Sequence, residues 1–98
     1  MFNLVIDLEM CKVPRDYRSN SYKYATETIQ IGAVLLDDSF KRIGTLCQYV
    51  HPEHGVIDYF IENLTGIKNS QVKNAPKLEE VLLHMIDWLG ERDYKIYA

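Results

Sequence analysis

The chain opens with Met1-Phe2-Asn3-Leu4-Val5-Ile6-Asp7-Leu8-Glu9, an apolar run that ends in two acids. The run predicts a strand over residues 2–7 that is covered on both faces. Because side chains alternate along a strand, Asp7 and Glu9 point to one side and Leu8 points to the other. Two converging carboxylates need a neutralising cation or proton, and their hard oxygens suit Mg²⁺ or Mn²⁺. The stretch therefore predicts a metal site, with a solvated pair of surface acids as the alternative.

Length and composition indicate one small domain. The chain has 98 residues, of which 47% are hydrophobic and 26% are charged, which is enough apolar material for a core. The net charge of −3 lacks the strongly basic balance that nucleic-acid binding normally shows. A metal-loaded acidic site would still bind phosphates locally, so the charge weakens that class of function without excluding it.

Cysteine usage and hydropathy bear on the compartment. Cys11 and Cys47 are the only two cysteines, and they form neither a CxxC pair nor a disulfide framework. The N-terminal residues lack the pattern of a signal peptide, and no window approaches the ~18 consecutive apolar residues of a membrane span. We therefore expect a cytoplasmic protein without membrane association.

The rest of the chain predicts a mixed α/β fold. Residues 28–36 and 44–50 are predicted strands that form an antiparallel hairpin. Residues 57–64 predict a short helix that ends at Gly66. A last strand over residues 94–98 follows a helical crossover, which implies that it runs parallel to an earlier strand. The expected sheet has about four strands.

The clearest helix lies before that last strand. Asn74 is its predicted N-cap, Pro76 lies in its first turn, and Gly90 fits its C-terminal stop. Its apolar residues recur at the spacing of a single buried stripe: Leu78, Val81, Leu82, Met85, Ile86 and Leu89. This is the long crossover helix of the expected fold.

A long polar segment over residues 10–26 separates the first two strands. It interleaves Tyr17, Tyr22 and Tyr24 with lysines and arginines. Long irregular loops are often functional, so the segment is interpreted either as a flexible solvated loop or as one that faces a substrate.

Three blocks of sequence resemble the DEDD-type 3′–5′ exonucleases, which have a ribonuclease H-like fold. Residues 5–11 (Val-Ile-Asp-Leu-Glu-Met-Cys) resemble the first motif of that family, and residues 27–34 (Glu-Thr-Ile-Gln-Ile-Gly-Ala-Val) resemble its second strand. Residues 64–67 (Leu-Thr-Gly-Ile), with the later Val72, Ala75-Pro76 and Val81, are similar to the segment before its first long helix. The resemblance is greatest to the subgroup of KapD and the histone-mRNA exonucleases.

The resemblance implies a chemistry and a set of site residues. The family hydrolyses phosphodiesters with two divalent ions. By resemblance, Asp7 bridges both ions and Glu9 holds one, and both act in catalysis. The terminal nucleotide is expected to contact the backbone around Leu8 to Met10 and the Thr65-Gly66-Ile67 turn. Gly66 has the alternative role of a plain helix C-cap.

The chain also departs from the family pattern. The family uses four acidic ligands and a histidine as general base, and the third and fourth acids and that histidine have no counterpart here. Asp87 and Asp93 do not match the missing acids, and Glu27 is expected to be an ordinary surface acid rather than a catalytic one. Two carboxylates alone are expected to hold at most one Mg²⁺ or Mn²⁺, weakly and through water.

We therefore interpret residues 1–98 as the N-terminal portion of an exonuclease domain, with a truncated ribonuclease H-like fold. The expected substrates of the family are 3′ ends of single-stranded RNA or DNA, and little or no activity is expected from this chain alone. The alternative is a non-catalytic module that binds nucleic acid through the loop over residues 10–26. An exposed edge strand also predicts a homodimer through edge pairing or domain swapping.

Overall fold

Four strands form one mixed sheet around β1 (Phe2–Lys12) in the computed structural model, which describes residues 1–98. β2 (Thr26–Leu36) pairs antiparallel with β1, and β3 (Arg42–Tyr49) pairs antiparallel with β2. β4 (Tyr94–Tyr97) pairs parallel with the other edge of β1, so the strand order is β3-β2-β1-β4. The predicted α/β class, the hairpin and the parallel crossover are confirmed.

Three α-helices connect β3 to β4. They are α1 (Tyr59–Thr65), α2 (Asn69–Val72) and α3 (Leu78–Leu89), and a single 3₁₀ turn (Arg15–Tyr17) lies between β1 and β2. The short helix and the long helix were expected, whereas α2 was not. No helix is long and apolar enough to cross a membrane.

The end of α3 is confirmed and its predicted beginning is wrong. Gly90 follows the helix with a φ of 65°, and its N–H donates to the carbonyl of Ile86. Asn74 does not cap the helix, because α3 begins at Leu78 with Lys77 as its N-cap and without a side-chain cap bond. Pro76 precedes the helix, and its carbonyl instead accepts the N–H of His51. That contact ties the loop after β3 to the start of α3.

β1 is longer and less covered than its sequence suggests. It continues to Lys12, five residues past the predicted end. Val5 is 39% exposed and Leu8 is 45% exposed, so the expectation of a strand covered on both faces is wrong. The buried side chains beneath α3 form one core cluster that faces a single side of the sheet: Leu4, Ile31, Ala33, Leu35, Val50, Val81, Met85 and Leu89.

A second core lies where β1 ends. The pairing of β1 with β2 slips after Glu9, because Glu9 lies opposite Gln30 and Met10 lies opposite Thr28. The extra residue in β2 is Ile29, which makes a β-bulge and turns inward. It packs in a cluster that joins β1 and β2 to α1 and α2: Cys11, Ile29, Ile57, Ile61, Ile67 and Val72.

The Glu27 carboxylate fastens the loop between β3 and α1 to β2. It accepts hydrogen bonds from the backbone N–H groups of Glu53 (2.8 Å), His54 (2.8 Å) and Gly55 (2.6 Å). Glu27 is only 8% exposed, so its assignment as a surface acid is wrong. A buried carboxylate is stable here because three backbone donors satisfy it with charge-assisted hydrogen bonds.

Gly55 and Cys11 touch at the same point. A Cβ at Gly55 would lie 2.6 Å from Cys11 Sγ and 2.7 Å from the Lys12 carbonyl oxygen, so only glycine fits this approach. Cys11 is fully buried. Burial, reinforced by the negative charge of Glu27, raises the pKa of the Cys11 thiol to about 11. Cys11 is therefore a neutral packing residue.

We predict that Glu27→Gln destabilises the fold. The amide replaces a charged acceptor and turns an N–H₂ group toward three N–H donors, which should cost about 2–4 kcal/mol of unfolding free energy. Urea unfolding followed by circular dichroism measures the loss. Glu91→Gln is the matched control, because Glu91 is exposed and makes no side-chain hydrogen bond, and it should change stability by less than about 0.5 kcal/mol. Equal stability of both variants would contradict the role of Glu27.

From the raised pKa of the Cys11 thiol we predict that the free energy of unfolding falls at alkaline pH. Its pKa rises from 9.0 to about 11 in the folded chain, so the unfolded chain loses this proton first as pH increases. Between these two pH values the unfolded state binds fewer protons, and the free energy of unfolding therefore decreases with pH. Urea titrations across that window should show a shallower decrease for Cys11→Ser. The exposed Cys47 gives the control, since Cys47→Ser should keep the wild-type slope.

Candidate metal and nucleotide site

The two acids of the first strand share one face of β1. Asp7 is exposed and Glu9 is half-buried, and they lie opposite Gly32 and Gln30 of β2. Leu8, between them, lines a groove with residues of α3. Since neighbouring side chains alternate, the two carboxylates lie on the sheet face that α3 leaves open. Their Cα atoms are about 7 Å apart, as for any two residues at i and i+2 of a strand.

The pair also lies beside a free edge of the sheet. The last pair between β1 and β4 is Val5 with Tyr97. β1 then continues to Lys12 with β2 as its only strand neighbour, apart from one bridge between Lys12 and Val56. This is the crevice beyond the carboxyl end of a parallel strand, where α/β sheets commonly bind ligands.

Gly32 keeps one flank of Asp7 open. Directly paired residues in an antiparallel sheet have neighbouring side chains on the same face. Gly32 is the partner of Asp7, so no side chain from β2 covers the Asp7 carboxylate. The importance of Gly32 could not be predicted from the sequence, because it depends on the register between β1 and β2.

Leu8 borders an apolar groove on the other face, and Met10 follows it two residues further along β1. The groove has a volume of about 270 Å³ and lies between β1 and α3, with Leu8, Leu78 and Leu82 among its lining residues. Met10 Sδ accepts a hydrogen bond from the Thr28 hydroxyl at 3.4 Å. A group that crosses the free edge of β1 would reach both this groove and the carboxylates.

The Thr65-Gly66-Ile67 turn lies against the end of β1. Gly66 adopts the left-handed conformation with a φ of 76°, and its N–H donates to the Glu62 carbonyl, which confirms the helix C-cap. Thr65 Oγ1 donates to the Ile61 carbonyl (2.8 Å) and accepts from the Ile67 N–H (3.1 Å). Ile67 is buried with Cys11, two residues beyond Glu9. The turn thus has a fixed shape and an exposed Gly66.

The segment between β1 and β2 is ordered against the loop that Glu27 holds. The Tyr22 ring stacks on the His54 ring with centroids 4.4 Å apart, and the Tyr22 hydroxyl donates to the Thr26 carbonyl at 2.6 Å. Burial, then the charge of Glu27, raises the pKa of Tyr22. Arg18 Nε donates to the Val13 carbonyl at 3.0 Å. Tyr17, by contrast, is 55% exposed.

The structure does not gather further ligands around Asp7 and Glu9. Nowhere in the chain do three or more histidine, cysteine, aspartate or glutamate side chains come close enough to hold a metal ion together. Glu27 is engaged by backbone donors, and the turn acid Asp37 accepts the N–H groups of Ser39 and Lys41. The candidate metal ligands of this chain are therefore the two carboxylates alone.

Two curated relatives match parts of the chain. It is 33% identical to ERI1 exoribonuclease 2 of Homo sapiens over 88 residues, which are 88% of this chain and 12% of that protein. It is 42% identical over 62 residues, 63% of this chain, to DNA polymerase III PolC-type of Caldanaerobacter subterraneus subsp. tengcongensis, of which the match covers 4%. The chain thus spans a small part of each relative.

Solved structures share the fold. A full-length 3′-exonuclease superimposes with a TM-score of 0.77 at 26% identity, covering 97% of this chain and 33% of that one. A 3′-exonuclease described in 3′-end-specific recognition of a histone mRNA stem-loop gives the same TM-score and identity, over 97% of this chain and 34% of that one. E. coli Exonuclease I in complex with a dT13 oligonucleotide gives 0.65 at 17% identity, over 97% of this chain and 19% of that one, and supports the fold alone.

The family model agrees with these similarities. It is described as Exonuclease (RNase T) and matches residues 4–96, a range that includes both Asp7 and Glu9. The same range takes in β1 from Leu4 onward, all of β2, β3 and the three helices, and β4 as far as Ile96. The resemblance noted in the sequence is therefore confirmed, and the chain belongs to the Exonuclease family.

Proposed function

We propose that this chain supplies the first half of a 3′–5′ exonuclease site, in which Asp7 and Glu9 bind a divalent metal ion. The observation that carries the proposal is the position of the two carboxylates. They lie on one open face of β1, at the free edge beyond β4. The full reaction would be hydrolysis of the terminal phosphodiester of RNA or DNA at a 3′ end.

The two residues fit such an ion in donor chemistry. Carboxylate oxygens are the ligands that Mg²⁺ and Mn²⁺ prefer, and the exposed Asp7 leaves room for the waters that Mg²⁺ retains. A divalent ion bound there would stabilise negative charge on the attacking and leaving oxygens of the phosphodiester. The contribution of the chain is to hold both carboxylates on one face of a rigid strand.

The terminal nucleotide is assigned to the surroundings of that pair. The groove lined by Leu8 is apolar and suits the face of a base, and Met10 lies two residues further along the same strand. Gly66 presents backbone without a side chain, and Thr65 and Ile67 fix its position from either side. Leu8, Met10, Thr65, Gly66 and Ile67 therefore remain the proposed substrate-binding residues, with Ile67 acting through its backbone because its side chain is buried.

We further propose that these 98 residues have little or no nuclease activity by themselves. The support is the ligand count, since two carboxylates hold one hydrated ion weakly and leave a second ion without its ligands. A domain with the remaining acids and a general base would be the active form. Residues 1–98 would then be the N-terminal portion of that domain.

Metal binding is tested without reference to activity. Mn²⁺ is paramagnetic, so titration of the ¹⁵N-labelled chain should broaden the amide signals of residues 6–10 first. Asp7→Asn with Glu9→Gln should abolish this selective broadening. Asp16→Asn is the matched control, because Asp16 is an exposed acid in the 3₁₀ turn, and it should leave the broadening unchanged. Broadening that persists in the double variant would contradict the assignment of the site.

Nuclease activity is tested with a labelled single-stranded oligonucleotide and Mn²⁺. We expect the chain and its Asp7→Ala variant to release mononucleotides at the same background rate. Robust release by the chain that Asp7→Ala abolishes would support the nuclease site and overturn the proposal of inactivity. Robust release, well above background, that Asp7→Ala leaves unchanged would contradict both.

A second candidate function is a non-catalytic module that self-associates. The outer edge of β4 has no strand partner, and its side chains Tyr94, Ile96 and Tyr97 are 36%, 57% and 37% exposed. An open strand edge with apolar side chains is a template for pairing with another chain. The exposed Tyr17 would serve nucleic-acid binding in such a module, whereas Arg18 Nε already bonds to the Val13 carbonyl.

Self-association predicts a measurable mass. Sedimentation at micromolar concentration should give twice the chain mass of 11.4 kDa. Ile96→Lys places a charge on the edge and should return the monomer. Leu83→Lys, on the 62% exposed Leu83 of α3, is the matched control and should leave the dimer intact. A wild-type monomer, or a dimer that Ile96→Lys does not disturb, would rule out pairing through β4.

A further inference from the structure

A polar cavity between the loop after β3 and α2 is separate from the groove beside Leu8. It has a volume of about 310 Å³, and its lining includes His51, Gly55, Asn69, Ser70 and Lys73. Imidazole, amide, hydroxyl and ammonium groups therefore converge on one space. None of these residues takes part in the proposed metal site.

The walls of this cavity are fixed by hydrogen bonds. His51 Nδ1 lies 2.9 Å from the Val72 carbonyl, and the His51 N–H donates to the Pro76 carbonyl at 2.8 Å. Because a carbonyl only accepts, Nδ1 carries the proton and Nε2 is the ring nitrogen left for a ligand. Asn69 Nδ2 donates to the Ile57 carbonyl at 3.0 Å, which holds the start of α2 against the chain before α1.

The α2 side of the cavity is basic although the whole chain is acidic, whereas the opposite loop carries Glu53 and binds the Glu27 carboxylate through the Gly55 N–H. Residues 63–78 contain three lysines, Lys68, Lys73 and Lys77, and no aspartate or glutamate, against a net charge of −3 for the chain. Lys77 pairs with Glu53 at 3.1 Å. Lys68 and Lys73 have no carboxylate within 4.0 Å, so their charges are free to attract an anion.

We infer that this cavity binds a backbone phosphate of a nucleic-acid strand, with Lys73 and Ser70 as its main contacts. A phosphate fits the donor set, because ammonium and hydroxyl groups are the usual partners of phosphate oxygens. The cavity follows the Thr65-Gly66-Ile67 turn directly along the chain. The inference rests on the proposed function, since the strand is the one whose 3′ end is assigned to Asp7 and Glu9.

Binding of a strand is measured without metal, so that the nuclease site does not contribute. A fluorescent single strand of about ten nucleotides is titrated in EDTA between about 50 and about 200 mM salt, with anisotropy as the readout. Lys73→Ala should weaken binding about 3- to 10-fold and reduce the salt slope by about one. Ser70→Ala should weaken it less. Lys41→Ala removes an exposed lysine from the β2–β3 turn and should match the wild type.

Inorganic phosphate separates a strand site from a site for small anions. In a titration with inorganic phosphate followed by NMR, the amide signals of Ser70 and Lys73 should shift. The concentration of inorganic phosphate that this shift requires should be far higher than the concentration of strand phosphates at which the nucleic acid binds. Tight phosphate binding with no effect of Lys73→Ala on the strand would overturn the assignment to nucleic acid. Equal strand affinities of Lys73→Ala and Lys41→Ala would overturn it as well.

The two proposals fail in different ways. If Lys73→Ala weakens strand binding while Mn²⁺ does not broaden residues 6–10, the phosphate cavity stands and the metal site is refuted. If Mn²⁺ binds Asp7 and Glu9 and Lys73→Ala has no effect on strand affinity, the metal site stands and the cavity is refuted. Far-ultraviolet circular dichroism and thermal unfolding of Lys73→Ala confirm that any loss of affinity comes from a folded chain.

Discussion

The hydrogen bonds of the Glu27 carboxylate determine how the loop after β3 packs at the end of the sheet that carries Asp7 and Glu9. It joins the start of β2 to three consecutive N–H groups of a loop that has no regular structure of its own. That loop brings Gly55 onto Cys11, and thereby sets α1 against the end of β1. Backbone donors in a buried loop must find acceptors, and a single carboxylate satisfies three of them. These three hydrogen bonds leave the loop little conformational freedom.

The arrangement explains why Asp7 is exposed and Glu9 is half-buried, although Leu4 and Cys11 of the same strand are buried. α3 covers the face of β1 that carries Leu4. On the opposite face α1 covers only Cys11, at the end of the strand, so the part of that face that carries Asp7 and Glu9 is left uncovered. β4 stops opposite Val5, which leaves the edge free just before the acids begin. The bulge at Ile29 lets the strands bend toward α1 at that point. The exposure of Asp7 thus follows from how far α3 and α1 extend over β1.

The sequence predicted what depends on short-range pattern and missed what depends on long-range contacts. The alternation that places Asp7 and Glu9 on one face and the Gly66 cap are local, and they were predictable. The buried stripe of α3 was predicted only in part, because Val81, Met85 and Leu89 are buried but three further members are 38%, 39% and 59% exposed: Leu78, Leu82 and Ile86. Glu27 resembled a surface acid because its three donors lie 26 to 28 residues away. The end of β1 resembled a loop because Lys12 is close to Pro14, and only the pairing with Thr26 shows that it is a strand. The cavity beside α2 required the contact of His51 with Val72, 21 residues apart.

The two proposed sites carry opposite charges, and this arrangement would suit a strand of nucleic acid. Two carboxylates repel a phosphate until a cation neutralises them, so they cannot supply affinity for the strand by themselves. Lys68 and Lys73 lie in a segment without acids and can attract phosphates at any metal concentration. Contacts to phosphate position a strand without reading its sequence. Attraction by the lysines and reaction at the acids would then be independent functions of two surfaces, joined by the rigid turn at Gly66.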